Sequence, residues 1–343
     1  MKFSQLKDSI LLQFSAPGGN RVVPFIQGKP GGGKSSCARE IAAALAERHG
    51  IPAERIVEFN PSLREACDIL GLPQMEGDHT RWLPPEELWR IRDGQGPSIL
   101  IIEELSDAAM DMQNPMCRVI LDRYAGQMKL SDELYIIATG NRSTDRSGAT
   151  RLSTKLANRM RILDFDEDLD DWCAWAAGHG INPVLIGFIN FRPALLSEFD
   201  PKRDRNPTPR AWEDVSRIPM GLEPAVYLEH CVGAVGEGAA AEWTGFLKVY
   251  EDLPDFDEII RNPEKAELPK KPDVQYAVVA KLMLGASKKT FAKVYKYVSR
   301  LPPDFMVMMM RDLSKNPDAQ WVLRTPEWKD FCVKNTSVLI GTF

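Results

Sequence analysis

Histidine is scarce in this chain. The 343 residues hold four, at 49, 79, 179 and 230, with no metal-ligand spacing among them. The six cysteines, Cys37, Cys67, Cys117, Cys173, Cys231 and Cys332, form no CxxC pair. A zinc ribbon and a disulfide framework are therefore excluded, and the thiols read as reduced and intracellular. Long apolar runs are missing too. No stretch approaches the ~20 residues that span a bilayer, and no signal-peptide pattern opens the sequence. The expectation is a cytoplasmic protein without membrane insertion. Excess positive charge is also lacking, since the net charge is −5. That argues against a surface that grips nucleic acid everywhere, while leaving room for a local basic pore. Hydrophobic content of 44% and charged content of 27% are those of an ordinary globular protein. The length suffices for one large core or two to three smaller ones.

What the chain does have is glycine in one place. Gly28-Lys29-Pro30-Gly31-Gly32-Gly33-Lys34-Ser35 carries the spacing of a phosphate-binding loop. Val22, Val23, Phe25 and Ile26 before it form a short β-prone run with Pro24 inside. A helical pattern with Ile41, Ala42 and Leu45 on one face follows it. A strand that turns through glycines into a helix aims several N–H groups and the positive helix end at one point, where a triphosphate can sit. Lys34 would reach the β- and γ-phosphates, and the Ser35 hydroxyl would ligate Mg2+. The expected nucleotide contacts are Gly28, Pro30, Gly31, Gly32, Gly33, Lys34, Ser35 and Ser36.

Further along, Ile99-Leu100-Ile101-Ile102-Glu103-Glu104 reads as a strand buried on both faces, with two carboxylates at its carboxyl end, where parallel sheets place ligands. In a phosphate-loop enzyme the first carboxylate holds Mg2+ and the second polarises the attacking water. Glu103 is thus assigned to the metal and Glu104 to the general base. Leu134 to Thr139 forms another buried strand ending at Gly140-Asn141, and the Asn141 amide can hold the attacking water. Ile56 to Asn60 and Arg161 to Phe165 complete five strands with helical crossovers, a doubly wound α/β domain. A helix is expected from Pro61 to Leu70, an irregular stretch over 72–89, and a short helix over 151–160. Residues 1–21 are either a lining for the base pocket or a plain edge helix.

From about residue 168 the pattern turns helical. Thr208 is an N-cap with Pro209 at the first helical position, which places the Arg210 cation in the first turn, against the helix dipole. Residues 253–271, rich in Pro, Asp, Glu and Lys, read as a linker. The methionine-rich run 305–310 reads as an adaptable binding face or a buried helix core.

Taken in order over about residues 20–215, these pieces resemble an AAA+ ATPase, most similar to the MoxR-like branch. The Walker A loop (Gly28 to Ser35), the Walker B strand (Ile99 to Glu104) and a sensor 1 asparagine (Asn141) are followed by Leu156-Ala157-Asn158-Arg159, of arginine-finger form, and Thr208-Pro209-Arg210, of sensor 2 form. The resemblance implies a P-loop AAA+ fold: a five-stranded parallel sheet with helices on both faces over 1–167, a helical lid over 168–222 and a helical C-terminal extension over 223–343. It implies ATP and Mg2+ as ligands, with Arg159 acting in trans on the neighbour's γ-phosphate, so that the active species is a ring, a hexamer. Arg210 would act in cis from the lid. Arg142, Arg146 and Arg151 could share or replace the finger's role. The family inserts a hairpin after Leu70-Gly71, which makes Arg81 and Trp82 candidates for substrate contact. It also implies ATP-driven remodelling or activation of a protein, with a von Willebrand A-type partner. The alternative is a DNA-directed AAA+ motor, clamp-loader-like or restriction-linked. The acidic balance favours protein over nucleic acid. One departure stands out: Glu103-Glu104 occupies the place where the family usually has Asp-Glu, which puts magnesium affinity in question.

Overall fold

The computed structural model describes residues 1–142, 152–200 and 202–335. The chain divides into two compact units, Met1–Glu167 and Asp168–Phe343.

The first unit opens with α1 (Phe3–Ser15), then β1 (Val23–Gly28), α2 (Lys34–His49) and β2 (Ile56–Phe59). Next come α3 (Cys67–Leu70), a hairpin of β3 (Leu72–Glu76) and β4 (His79–Leu83), α4 (Glu86–Trp89), β5 (Ser98–Ile102) and α5 (Met110–Asp122). Two short strands, β6 (Tyr124–Ala125) and β7 (Met128–Lys129), precede β8 (Leu134–Asn141), α6 (Thr154–Ala157) and β9 (Met160–Asp164). Five of the strands form one parallel sheet in the order β2-β5-β8-β1-β9.

Period-two alternation explains why the sheet is covered on both sides. Ile99 and Ile101 of β5 share a core with Leu6 and Ile10 of α1 and Ile41 and Leu45 of α2. Leu100 and Ile102, one residue out of phase, join Met112, Met116 and Ile120 of α5 on the opposite face. Pro24 is tolerated inside β1 because the ladder to β8 starts only at Phe25, so its missing N–H interrupts no bond on that side.

Local chemistry moved several expected boundaries. The run from Pro61 breaks into a 3-10 turn (Pro61–Leu63) and the four-residue α3, because Asn60 caps the turn through Ser62 N and the chain extends at Arg64. The stretch after Gly71 is an antiparallel hairpin, pairing Gln74 with Arg81 and Pro73 with Trp82. The helix expected over 151–160 shortens to α6, capped by the Ser153 side chain.

The second unit is helical throughout its described residues. Its elements are α7 (Leu169–Gly178), α8 (Pro183–Phe191), α9 (Pro209–Ser216), α10 (Pro224–Val235) and α11 (Glu237–Glu251). They continue as α12 (Phe256–Arg261), α13 (Pro272–Gly285), α14 (Phe291–Val298), α15 (Pro303–Lys315) and α16 (Pro326–Lys334). One apolar core runs through all of it, with Trp172, Phe188, Trp212, Trp243, Val279, Tyr297 and Met309 as members on both sides of residue 222. Phe188 anchors it, its ring 5.5 Å from Trp212 and 5.3 Å from Trp243. The 253–271 segment is no open linker: α12 lies inside it and buries Ile259 and Ile260 in this core. Met306, Met308, Met309 and Met310 are buried in the same core, so the methionine run is packing and not a free face. No helix among the described residues is long and apolar enough to cross a membrane.

Candidate functional site at the carboxyl end of the sheet

Strand β1 ends at Gly28 and α2 starts at Lys34, leaving residues 29–33 to turn between them. The turn needs positive φ at Gly31 (72°) and at Gly33 (101°), the N-cap of α2, and glycine adopts both without a side-chain clash. No side chain caps α2, and the first helical bond runs from Cys37 N to Gly33 O. The N–H groups of Lys34, Ser35 and Ser36 thus have no acceptor within the helix, which suits a phosphate. A methyl group at Gly32 would collide with the Glu167 carboxylate, whose buried Oε1 has no hydrogen-bond partner among the described residues.

Lys34 bends back over the loop. Its Nζ donates to Gly28 O at 2.9 Å, Lys29 O at 2.6 Å and Asn141 Oδ1 at 2.9 Å. Asn141 is fixed from both sides, because its Nδ2 donates to Asp107 Oδ2 at 3.1 Å and its backbone N–H to Ser106 Oγ at 2.8 Å. Gly140 permits this approach. A Cβ there would stand 2.6 Å from Phe25 Cζ and 2.8 Å from Ser106 Oγ.

The two carboxylates after β5 diverge. Glu104 takes φ 53°, a left-handed conformation that starts the 3-10 turn Leu105–Asp107. Its exposed side chain turns toward the end of β2, where Asn60 Nδ2 donates to Oε2 at 3.0 Å and Ser62 Oγ lies 3.0 Å from the same oxygen. Ser62 Oγ is also 2.7 Å from Asn60 Oδ1, so its single proton serves one acceptor at a time. Glu103 goes the other way. Its side chain, 17% exposed, accepts from Arg39 Nη2 at 2.8 Å. Arg39 in turn grips Glu58 through Nε and Nη2, both at 2.9 Å. The hydrogen bond to Glu58 raises the Arg39 pKa above its ordinary value against the effect of burial, and the charge of Glu103 adds to it.

The phosphate loop, Glu103, Glu104 and Asn141 therefore meet at the carboxyl end of the sheet, as their sequence positions imply. Arg159 does not join them. It follows α6 and precedes β9, whose Met160 pairs with Val23 at the start of β1. The stretch from Val23 to Gly28 covers roughly 16 Å, so Arg159 belongs to the opposite end of the sheet from the loop of its own chain. The guanidinium is half-buried and makes no hydrogen bond or ion pair among the described residues. Arg142, by contrast, is tied to Asp164 at 3.0 Å and Asp166 at 2.7 Å. Burial opposes its charge, and the bonds to Asp166 and Asp164 outweigh burial. Arg146 and Arg151 lie outside the described residues. Arg210 sits in the second unit, exposed in the first turn of α9, where Thr208 caps the helix by accepting from Ala211 N at 3.2 Å.

Four residues of the site were missed in the sequence: Arg39, Asn60, Ser62 and Asp107. Asn60 could have been found by the argument that selects Asn141, since it also ends a strand next to the acidic one. Arg39 had a weaker signal, a glutamate at 103 longer than the usual aspartate.

The donor set suits a nucleotide with its metal. Among the described residues no three His, Cys, Asp or Glu side chains gather to hold a metal ion alone. A magnesium ion held by Ser35 and Glu103 would take its other ligands from phosphate and water, which is how Mg2+ is usually bound.

Residues 24–160 match the AAA domain of the dynein-related subfamily. No curated protein matches the sequence. Among solved structures the chain is similar to a RuvB variant of Thermotoga maritima, at 16% identity over 87% of each chain and a TM-score of 0.39. It is also similar to NtrX from Brucella abortus in complex with ADP, at 15% identity and a TM-score of 0.35, covering 95% of this chain and 65% of that one. This chain thus spans slightly less than two thirds of NtrX. A DNA polymerase III gamma subunit-related protein from Thermotoga maritima matches at 10% identity and a TM-score of 0.32, over 91% of this chain and 82% of that one. Residues 24–160 are thus similar to an AAA domain of the dynein-related subfamily, and the five-stranded parallel sheet with its flanking helices has the P-loop AAA+ fold.

Proposed function

We propose that this protein hydrolyses ATP as a ring of identical subunits, a hexamer of the MoxR-like type, and uses the cycle to remodel or activate a protein partner such as one with a von Willebrand A-type domain. The observation that carries this reading is the convergence of the phosphate loop, Glu103, Glu104 and Asn141 at one end of the sheet, with Arg159 at the other end. The loop N–H groups and Lys34 bind the phosphates. Magnesium, when bound, neutralises charge on the β- and γ-phosphates. Asn141 and Glu104 orient a water molecule, and Glu104 accepts its proton as the water oxygen bonds to the γ-phosphorus. The bond from that phosphorus to the bridging oxygen breaks, releasing ADP and phosphate. Glu104 Oε2 is already held by Asn60, so Oε1 is the atom available for the proton. Arg159 is too far from its own loop to assist. It serves the neighbour's site, where an arginine finger contributes ~10³–10⁵ in rate. Arg210 senses the bound nucleotide from the lid, 168–222, with 223–343 as an extension.

The exposed hairpin supports a protein-facing role. All ten residues of β3 and β4 are exposed, with Leu72 at 65% and Met75 at 73%, and Arg81 and Trp82 lie on β4. Such apolar exposure marks an interaction surface. Six cysteines, four of them buried, suit a reducing cytoplasm.

The test is an ATPase assay on wild type and Glu104→Gln, followed by mixing. Wild type should turn over and Glu104→Gln should not; equal near-zero rates would remove the enzyme reading. Mixing Arg159→Ala with Glu104→Gln subunits should restore part of the activity, because some interfaces then carry intact composite sites. No recovery at any ratio would remove the trans role. Stimulation by DNA with a steep salt dependence would move the partner from protein to nucleic acid.

A further inference from the structure

We propose that Arg39 competes with the metal for Glu103 and so sets the magnesium concentration at which this protein takes up nucleotide. The inference rests on the ATP reading above and adds a residue to it.

The juxtaposition follows from three periodicities. On α2, Arg39 is four residues after Ser35, so the two share a helix face. On β5, Ile101 packs in the core that contains Ile41 and Ala42 of α2, and Glu103 is two residues further, on the same side. On β2, Glu58 is in register with Ile101 and faces α2 as well. One arginine thus stands opposite two carboxylates from adjacent strands, one turn along from the hydroxyl assigned to the metal.

The fork divides its bonds unequally. Glu58 receives Nε and Nη2, whereas Glu103 receives Nη2 alone, at 2.8 Å. Glu58 is the anchor and Glu103 the exchangeable partner. Without a metal, Arg39 neutralises a Glu103 carboxylate that is only 17% exposed, and leaving such a group unpaired is unfavourable. When the metal arrives, Glu103 must release Arg39, which stays on Glu58. Side-chain length matters here. An aspartate at 103 would be about 1.5 Å shorter, one carbon–carbon bond, and would lose the 2.8 Å contact to Arg39. The glutamate that departs from the usual Asp-Glu pattern is the residue that makes the competition possible.

The test measures binding of a fluorescent ADP analogue to the full chain across a magnesium titration, with no turnover required. Arg39→Gln and Glu103→Asp should each lower the magnesium concentration for half-maximal binding, by about fivefold, the order expected from losing a partly exposed ion pair. The double variant should lower it no further, since both changes remove one interaction. An unchanged midpoint in Arg39→Gln, or additive shifts in the double variant, would overturn the proposal. If Arg39→Gln fails to fold, Arg39→Lys carries the test, because an ammonium cannot fork across both carboxylates; its midpoint should move in the same direction. A wild-type chain that binds no analogue at any magnesium concentration would sink the nucleotide reading itself, which is a distinct result.

Discussion

Lys34 Nζ stands 2.9 Å from Asn141 Oδ1. This one contact joins the phosphate loop to the tip of β8, residues 107 positions apart in the chain. It orients the asparagine amide, since Nδ2 must then point to Asp107. A lysine that holds the asparagine in place ties the loop to the group proposed to orient the water.

Asn141→Ala should therefore separate binding from hydrolysis. Nucleotide affinity should stay within about threefold of wild type, because the loop N–H groups are untouched. Turnover should fall by about 10². Equilibrium binding and steady-state ATPase assays on one preparation check both.

Arg142 and Arg159 should differ in kind. Arg142 is bound to Asp164 and Asp166 of its own chain, so Arg142→Ala should lower the melting temperature. Arg159 makes no such bond among the described residues, so Arg159→Ala should melt with wild type and lose about 10³ in turnover. Thermal denaturation beside ATPase assays discriminates the two.

Gly140→Ala should damage stability and activity together. The added methyl would meet Phe25 at 2.6 Å and Ser106 at 2.8 Å, and overpacking of this kind costs about 1–3 kcal/mol. Ser106 is also the acceptor for Asn141 N, so the strain reaches the site. A urea titration should show a lower midpoint, and turnover should fall beyond what the unfolded fraction explains.

Asp312 offers a pH test in the second unit. It is fully buried against Arg311, the Nε of which donates to it at 2.6 Å. Burial pushes its carboxyl up to about 6, against the pull of Arg311. The folded value exceeds the ordinary one, so between about 6 and about 4 the folded state binds the proton more readily than the unfolded state. Stability from this group should rise as pH falls through that window and be flat above it. Wild type should gain on Asp312→Asn between pH 7 and pH 5 in denaturant titrations. Tryptophan fluorescence is a suitable probe, because Trp172, Trp175, Trp212, Trp243, Trp321 and Trp328 belong to this unit and only Trp82 and Trp89 to the other. Asp312→Ala should lower stability at pH 7, since it takes from the Arg311 guanidinium its buried carboxylate and leaves it only Asp170 and Asn190.

How legible the molecule was from its residues varies with the kind of signal. Buried parallel strands announce themselves as continuous apolar runs, and β5 and β8 lie where those runs are. The hairpin after Gly71 gave no apolar run or alternation, because all ten of its strand residues face solvent. The 253–271 segment misled for a related reason: its charged and proline-rich composition hid Ile259 and Ile260, which only the assembled core reveals as buried.

The site divides in the same way. Glycines spaced before Lys34-Ser35, an acidic pair after a buried strand, and an amide at a strand tip are local patterns whose chemistry depends on covalent order, so the sequence alone determines them. Which partner each carboxylate takes is not local. Arg39 reaches Glu103 across 64 positions and Asn60 reaches Glu104 across 44. Those pairings exist because the sheet places β2 beside β5 and packs α2 over both. Hydrogen bonds form over about 3 Å in space, and only the tertiary structure brings distant residues that close.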